Sequence, residues 1–222
     1  MDRSPILGTR GSALALAQAH KVASALEVAN RWPANFIEIQ AITTSGDVIN
    51  DRPLAEIGGK ALWTKELDRA LLEGEVDFCV HSMKDVESER PKSIRIAAVR
   101  PRGDMRERLI GAESIEALKQ GAVGIEVAAD RPELRQLVEA IDHRPTSRCV
   151  AAERAFLAAI GGDCRSAVAA HAVIDGEGVR LRAEILMPDG TEVRSGEDGD
   201  PEALARRLLA LASPGLRAMF AP

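Results

Sequence analysis

Strand-like and helix-like hydrophobic patterns alternate along the first half of this chain, and that alternation limits its fold more than any other feature. Pro5 to Gly8 reads as a strand, and Ala13 to about Asn30 as a helix with Ser12 as its N-cap. Phe36 to Ile42 reads as a second strand. Thr43 to Gly59 is irregular, with Gly46, Pro53, Gly58 and Gly59. Trp63, Leu67 and Leu71 then recur at i, i+4 and i+8, which predicts an amphipathic helix over Leu62 to Glu73, stopped at Gly74. Asp77 to Val80 and Ile94 to Val99 are two further strands. Strands that alternate with helices predict a mostly parallel sheet covered by helices, an α/β domain.

The second region is patterned differently. Pro145 to Ile160 reads as a helix stopped by Gly161-Gly162. Ala167 to Ile174 and Val179 to Leu186 read as strands joined by Asp175-Gly176-Glu177-Gly178. In the latter, Val179, Leu181, Ala183 and Ile185 alternate with Arg180, Arg182 and Glu184, so one face is buried. A turn at Pro188-Asp189-Gly190 leads to a strand over Thr191 to Arg194. Asp200-Pro201 then starts a helix with Leu204, Leu208 and Leu211 on one face. Strands followed by a helix predict a small α+β domain. The expected division is residues 1–142 and 143–222, with the boundary near Asp142 to Pro145.

Composition narrows the class of function. With no Tyr, two Trp and four Phe, the core must be built from Leu, Val, Ile and Ala. A net charge of -5 argues against a nucleic-acid binder held by general electrostatics, yet leaves room for a local cationic pocket. No apolar run approaches the length of a membrane span. Met1-Asp2-Arg3 runs straight into strand-like sequence, unlike a signal peptide. The three cysteines, Cys79, Cys149 and Cys164, sit at no metal-ligand spacing. A reduced, cytoplasmic, monomeric protein without a metal is expected.

Candidate chemistry gathers at the ends of the predicted strands. Val80-His81-Ser82-Met83-Lys84-Asp85-Val86 puts an imidazole, a hydroxyl, an ammonium and a carboxylate where an α/β sheet commonly holds its reactive groups. Asp85 is a candidate acid/base or cation stabiliser, or else a salt-bridge partner of Lys84. His81 reads as a hydrogen-bonded structural residue. Thr9-Arg10-Gly11-Ser12, between strand and helix, can grip a carboxylate through the Arg10 fork, or be an ordinary capped loop. Gly58-Gly59-Lys60 reads as a mobile lid presenting a cation, or as a flexible surface loop. Cys164 follows Gly161-Gly162-Asp163 and is the cysteine best placed to be accessible. A reactive thiol and a spectator loop cysteine both remain open.

Together these motifs resemble one family. Gly8-Thr9-Arg10-Gly11-Ser12-Ala13-Leu14-Ala15-Leu16-Ala17-Gln18, Thr44-Ser45-Gly46-Asp47, Gly58-Gly59-Lys60, Val80 to Val86, Gln120 to Glu126, Ala152-Glu153-Arg154-Ala155 and Gly161-Gly162-Asp163-Cys164 resemble, in order, the porphobilinogen deaminases, or hydroxymethylbilane synthases, of tetrapyrrole biosynthesis. The resemblance implies a periplasmic-binding-protein-like α/β domain followed by a small α+β domain. It implies a transferase that condenses four porphobilinogen units head to tail with release of ammonia, working on a covalent dipyrromethane cofactor. By motif match Cys164 carries the cofactor thioether and Asp85 is catalytic. Arg10, Ser12 and Lys84 bind the cofactor, and Gln18, Lys60 and Trp63 bind substrate. Pyrroles that each bear an acetate and a propionate require Arg and Lys in the pocket despite the acidic net charge.

The departures from that family are large. A middle domain normally lies between stretches like Arg100 to Leu109 and Gly121 to Glu126, and here only Ile110 to Gln120 joins them. The family's Ser-Leu-Arg-Arg motif, part of its carboxylate-binding wall, does not occur. Asp163 stands where glycine is common, and Arg165 and Ala167 where Gln and Pro are frequent. The expected function is hydroxymethylbilane synthesis. The alternative is a non-catalytic, domain-deleted relative that binds pyrroles or other dicarboxylates.

Overall fold

The computed structural model describes residues 3–48, 63–103, 121–162 and 166–220. The predicted link over 110–120, the Gly58-Gly59-Lys60 loop and Cys164 lie outside the described residues. The chain divides into two compact units. The first is Met1–Val86 with Arg90–His143, and the second is Glu87–Glu89 with Arg144–Pro222.

The first unit is built on a five-stranded sheet with the order β2-β1-β3-β5-β4. Its strands are β1 (Ile6–Arg10), β2 (Glu38–Ile42), β3 (Phe78–Ser82), β4 (Ile94–Val99) and β5 (Val123–Ala128). β1 pairs in parallel with β2 and β3, whereas β5 runs antiparallel to both of its neighbours. The helices are α1 (Ala13–Asn30), α2 (Ser45–Val48), α3 (Lys65–Leu72) and α4 (Pro132–Glu139). Leu7, Phe78, Val80, Ile125 and Val127 pack with Ala19, Val22 and Leu26 of α1 and with Leu134 and Val138 of α4. Cys79, Ile94 and Ala128 pack with Leu67, Ala70 and Leu71 of α3. β3 and β5 are thus covered on both faces, which is why their sequences show apolar runs rather than alternation.

Several boundaries differ from expectation, each for a local reason. β1 continues through Thr9 and Arg10, because pairing with β2 extends to Arg10–Ile42. β3 begins after Asp77, whose carboxylate accepts from the Ile6 backbone N–H and from both ends of the Arg3 fork. It then runs on through His81 and Ser82 in register with Gly124 and Val123. Helix α3 starts at Lys65, so Trp63 lies in a turn and not in the helix. α2 falls in the stretch expected to be irregular, and β5 and α4 are elements that the hydrophobic pattern does not predict.

The second unit is a three-stranded antiparallel sheet, β6 (Val168–Asp175), β7 (Gly178–Leu186) and β8 (Val193–Asp198), in that order. Helices α5 (Arg144–Ala159), α6 (Pro201–Leu211) and α7 (Pro214–Ala218) complete it. Leu181, Ala183 and Ile185 of β7 point into a core with Phe156, Ile160, Leu204 and Leu208. Asp200 caps α6, its Oδ1 accepting from Glu202 N and Ala203 N, and Pro201 opens the helix. Gly161 closes α5 with φ 68°, a left-handed conformation that glycine adopts without strain. No described helix is long and apolar enough to cross a membrane.

Candidate active site

Parallel pairing of β2, β1 and β3 aligns their C-terminal ends, and Arg10, Asp47 and Asp85 meet there. Arg10 is the last residue of β1. β2 leads into Thr44 and the short turn α2. β3 ends at Ser82 and enters a 3-10 turn, Met83–Asp85. That turn is anchored by Met83 N donating to Ala122 O and by Met83 packing against Gly124, whose missing Cβ leaves room for the thioether. Met83 is therefore buried, Lys84 is exposed and Asp85 turns toward Arg10.

Arg10 lies between two carboxylates. Its Nη2 donates to Asp47 Oδ1 at 2.6 Å and its Nε to the same oxygen at 3.3 Å. Its Nη1 reaches Asp85 Oδ2 at 3.3 Å. Asp47 is itself held by Thr44, whose Oγ1 and backbone N donate to Oδ2 at 2.7 and 3.3 Å. Burial pushes the Asp85 carboxyl above the usual carboxylate range, and the nearby charges of Lys84, Arg10 and His81 oppose the shift without cancelling it. Burial acts in the same sense on Asp47, but hydrogen bonds from Arg10 and Thr44 outweigh it and hold that carboxyl low.

Trp63 covers the arginine. The Arg10 Cζ sits over the indole at 3.8 Å from the ring centroid, a cation–π contact. The same ring rests on Gly46, where any Cβ would overlap it. α3 helps to fix α2, because Glu66 Oε1 accepts from both the backbone N and the hydroxyl of Ser45.

The other predicted residues are placed as follows. Gln18 is 4% exposed on α1, and its Nε2 donates to Ser82 Oγ at 2.9 Å. Ser12 caps α1 by accepting from Ala15 N at 3.2 Å. Lys84 makes no hydrogen bond or ion pair with the described residues. The structure thus brings Arg10 into contact with both Trp63 and Asp85, with Lys84 next to Asp85 in the chain. Lys60 and Cys164 lie outside the described residues. Cys79 and Cys149 are both buried, and burial pushes the Cys79 thiol well up. No group of His, Cys, Asp and Glu able to hold a metal ion occurs among the described residues.

Residues 6–131 match the family described as "Porphobilinogen deaminase, dipyromethane cofactor binding domain", and residues 147–210 match its C-terminal domain. The chain belongs to the porphobilinogen deaminase family. A porphobilinogen deaminase of Sphingopyxis alaskensis is 37% identical, with 97% of this chain and 96% of the relative covered. Those of Paracoccus denitrificans and Nitrobacter hamburgensis are 33% and 31% identical, covering 90% and 89% of this chain and the same shares of the relatives. The first alignment runs over 302 residues against the 222 of this chain, so that relative carries residues with no counterpart here.

Beneath the site, this porphobilinogen deaminase family member carries a second charged cluster. Arg90 donates to both oxygens of Glu126 at 2.9 and 2.8 Å and to Asp68 at 2.5 Å. Glu126 Oε2 also lies 3.2 Å from His81 Nε2. Burial would raise Glu126, but His81 and Arg90 outweigh it and hold the carboxyl low. Asp68 goes the other way: burial raises it, Arg90 opposes, and the nearby Glu126 charge adds to the rise. Sequence reasoning missed Asp47, Glu126, Arg90 and Asp68 as partners. For Glu126 a signal was present, since an acidic residue inside the apolar run Gly124 to Val127 needs a buried partner. Arg90, in a polar loop, carried no such signal.

Proposed function

We propose that this chain is a hydroxymethylbilane synthase, a transferase of tetrapyrrole biosynthesis that condenses four porphobilinogen units with release of ammonia. The observation that carries the reading is the buried-edge carboxyl of Asp85, 3.3 Å from the Arg10 guanidinium at the ends of parallel strands, in a chain that both porphobilinogen deaminase domains match. A carboxyl whose proton affinity is raised by burial is suited to give a proton to a leaving amine. Once ionised, the same group faces the electron-poor methylene that the departing ammonia leaves on the substrate.

The residues of the first unit suit a dipyrromethane. Such a cofactor presents several carboxylates, and Arg10 and the exposed Lys84 offer cationic donors beside Asp85. When bound, the group supplies the nucleophilic pyrrole end on which the product grows. In this reading Cys164 carries it by a thioether, Ser12 presents a hydroxyl, and Gln18, hydrogen-bonded to Ser82, binds substrate. Lys60 and Trp63 bind substrate over the site. The first unit is taken as a periplasmic-binding-protein-like domain whose middle domain is replaced by the link over 110–120, with residues 143–222 as the cofactor-bearing α+β domain. The enzyme is taken to be a cytoplasmic monomer.

A shortened carboxylate wall should slow turnover. Each charge-assisted hydrogen bond to a carboxylate contributes roughly 1.5–3 kcal/mol. Losing two or three would weaken binding on the order of a thousandfold. The test is porphobilinogen consumption by the purified chain together with the mass of its Cys164 peptide. Two condensed pyrrole units on that peptide, absent in Cys164→Ala, and slow consumption are expected. Modification of Cys79 or Cys149 instead, or an unmodified chain that leaves porphobilinogen untouched, would overturn the reading.

A further inference from the structure

Asp47 is built into the site, yet nothing in the proposed chemistry uses it. It and Asp85 compete for one guanidinium. Their side chains are almost equally exposed, 22% and 21%, and the hydrogen-bond geometry at Arg10 favours Asp47. Asp47 takes the side edge of Arg10 through Nε and Nη2, with the shortest contact at 2.6 Å. Asp85 is left with a single long contact to Nη1 at 3.3 Å. Asp47 cannot easily yield, because Thr44 donates to its second oxygen from both hydroxyl and backbone. Trp63 meanwhile holds the guanidinium from one face.

An arginine free to choose would form two parallel bonds with Asp85, the strongest arrangement for that pair. Asp85 would then be locked as a carboxylate, and a locked carboxylate is a poor proton donor. We propose, resting on the role of Asp85 given above, that Asp47 is a positioning residue that occupies the side edge of Arg10 and keeps the guanidinium from closing on Asp85. The site thereby retains a cation beside Asp85 for an incoming carboxylate without fixing the state of the acid itself. The described groups acting on Asp85 are Lys84 in its own turn, Arg10 from β1 and His81 from β3. Asp47 in α2 acts through Arg10. The opposite shifts of the two carboxyls, Asp47 low and Asp85 high, agree with this division.

The experiment is a pH titration of Asp85 by carbon-13 NMR of aspartate-labelled full-length protein, the signal assigned by its loss in Asp85→Asn. In Asp47→Asn, which keeps an acceptor for Thr44, the Asp85 midpoint is expected at lower pH, with proton affinity reduced about tenfold. In an Arg10→Met chain the same Asp47→Asn change is expected to move the midpoint far less, because the effect travels through Arg10. Thr44→Val, which loosens Asp47, should shift it in the same direction by less, and carries the test if Asp47→Asn does not fold. An unmoved midpoint in Asp47→Asn, or an equal shift with and without Arg10, overturns the proposal. Porphobilinogen consumption is followed separately. A wild type that condenses nothing while Asp85 titrates as expected sinks the proposed activity alone. An active wild type whose Asp85 ignores Asp47 sinks the positioning role alone.

Discussion

The two units use charge differently. In the first, Glu126 is fully buried and the Arg90 side chain only 8% exposed, and both belong to a cluster with Asp68 and His81. Arg10, Asp47 and Asp85 form another cluster at the strand ends. In the second unit the pairs Arg180–Glu197, Arg182–Glu184 and Arg206–Glu202 lie on open surface. Its core is apolar apart from Thr146 and Glu153 of α5, the latter accepting from the Ala172 backbone N–H at 2.8 Å, and its sheet has one wet face. Buried pairs are costly to assemble and seldom add stability over apolar packing, yet removing one partner is strongly destabilising. Surface pairs contribute little either way. The contrast fits the acid–base role proposed for Asp85 in the first unit and a mainly structural use of charge among the described residues of the second.

The contrast can be broken, most forcefully at Asp85. Asp85→Asn keeps the size of the side chain but removes the ionisable group. Condensation is expected to fall by roughly a hundredfold to ten-thousandfold, the usual worth of general acid–base catalysis, read from porphobilinogen consumption. A variant that kept the wild-type rate would remove Asp85 from the mechanism.

Arg90→Met comes next, because it leaves Glu126 and Asp68 facing each other without a guanidinium. A loss of about 3–5 kcal/mol in urea unfolding is expected. The surface counterpart, Arg180→Ala, should stay within about 1 kcal/mol. Equal losses for the two would erase the distinction between the units. The pH dependence sharpens the same point. Glu126 is held below its ordinary value in the folded chain, so it contributes stability that is present above the unfolded carboxylate value. That contribution is lost as pH falls through the lowered value. Glu126→Gln should flatten this acid limb, and an unchanged limb would count against a charged Glu126.

Gly46→Ala should cost about 1–3 kcal/mol, since a methyl there must push Trp63 off its seat. Trp63 fluorescence, in a Trp32→Phe background, should change as the ring leaves Arg10; an unaltered spectrum would show that the ring is not held there. The smallest effect belongs to the second unit. Asp200→Ala removes the α6 cap and should cost about 1 kcal/mol by thermal or urea unfolding, without changing the Asp85 titration. Movement of that titration would mean that the two units are coupled.

Local features were well legible. The run Ala13 to Asn30 forms a helix with Ser12 as its cap, Ile94 to Val99 forms a strand, and β7 alternates as its residues require. These depend on hydrophobic period and on hydrogen bonds reaching three or four residues, and both are written in the order of side chains. Trp63 was less legible. Its spacing with Leu67 and Leu71 fits a helix, but stacking on Gly46 and Arg10 holds it in the turn before α3.

By itself, the order of residues determined α1, β4, β7 and α6, the buried face of β7, the caps of α1 and α6, and the set of motifs that mark the porphobilinogen deaminase family, whereas Leu211, expected on the apolar face of α6, is 60% exposed. Only the tertiary structure decided which residues became partners. β5 enters antiparallel between β3 and β4, and that insertion sets Glu126 beside His81 and within reach of Arg90. Arg10 meets Asp47 and Asp85 because three parallel strands end at one level, although 37 and 75 positions separate the residues. Periodicity records the environment of a side chain along its own element. Pairing between distant charges depends on strand order and on the direction in which each strand runs, and neither leaves a local trace.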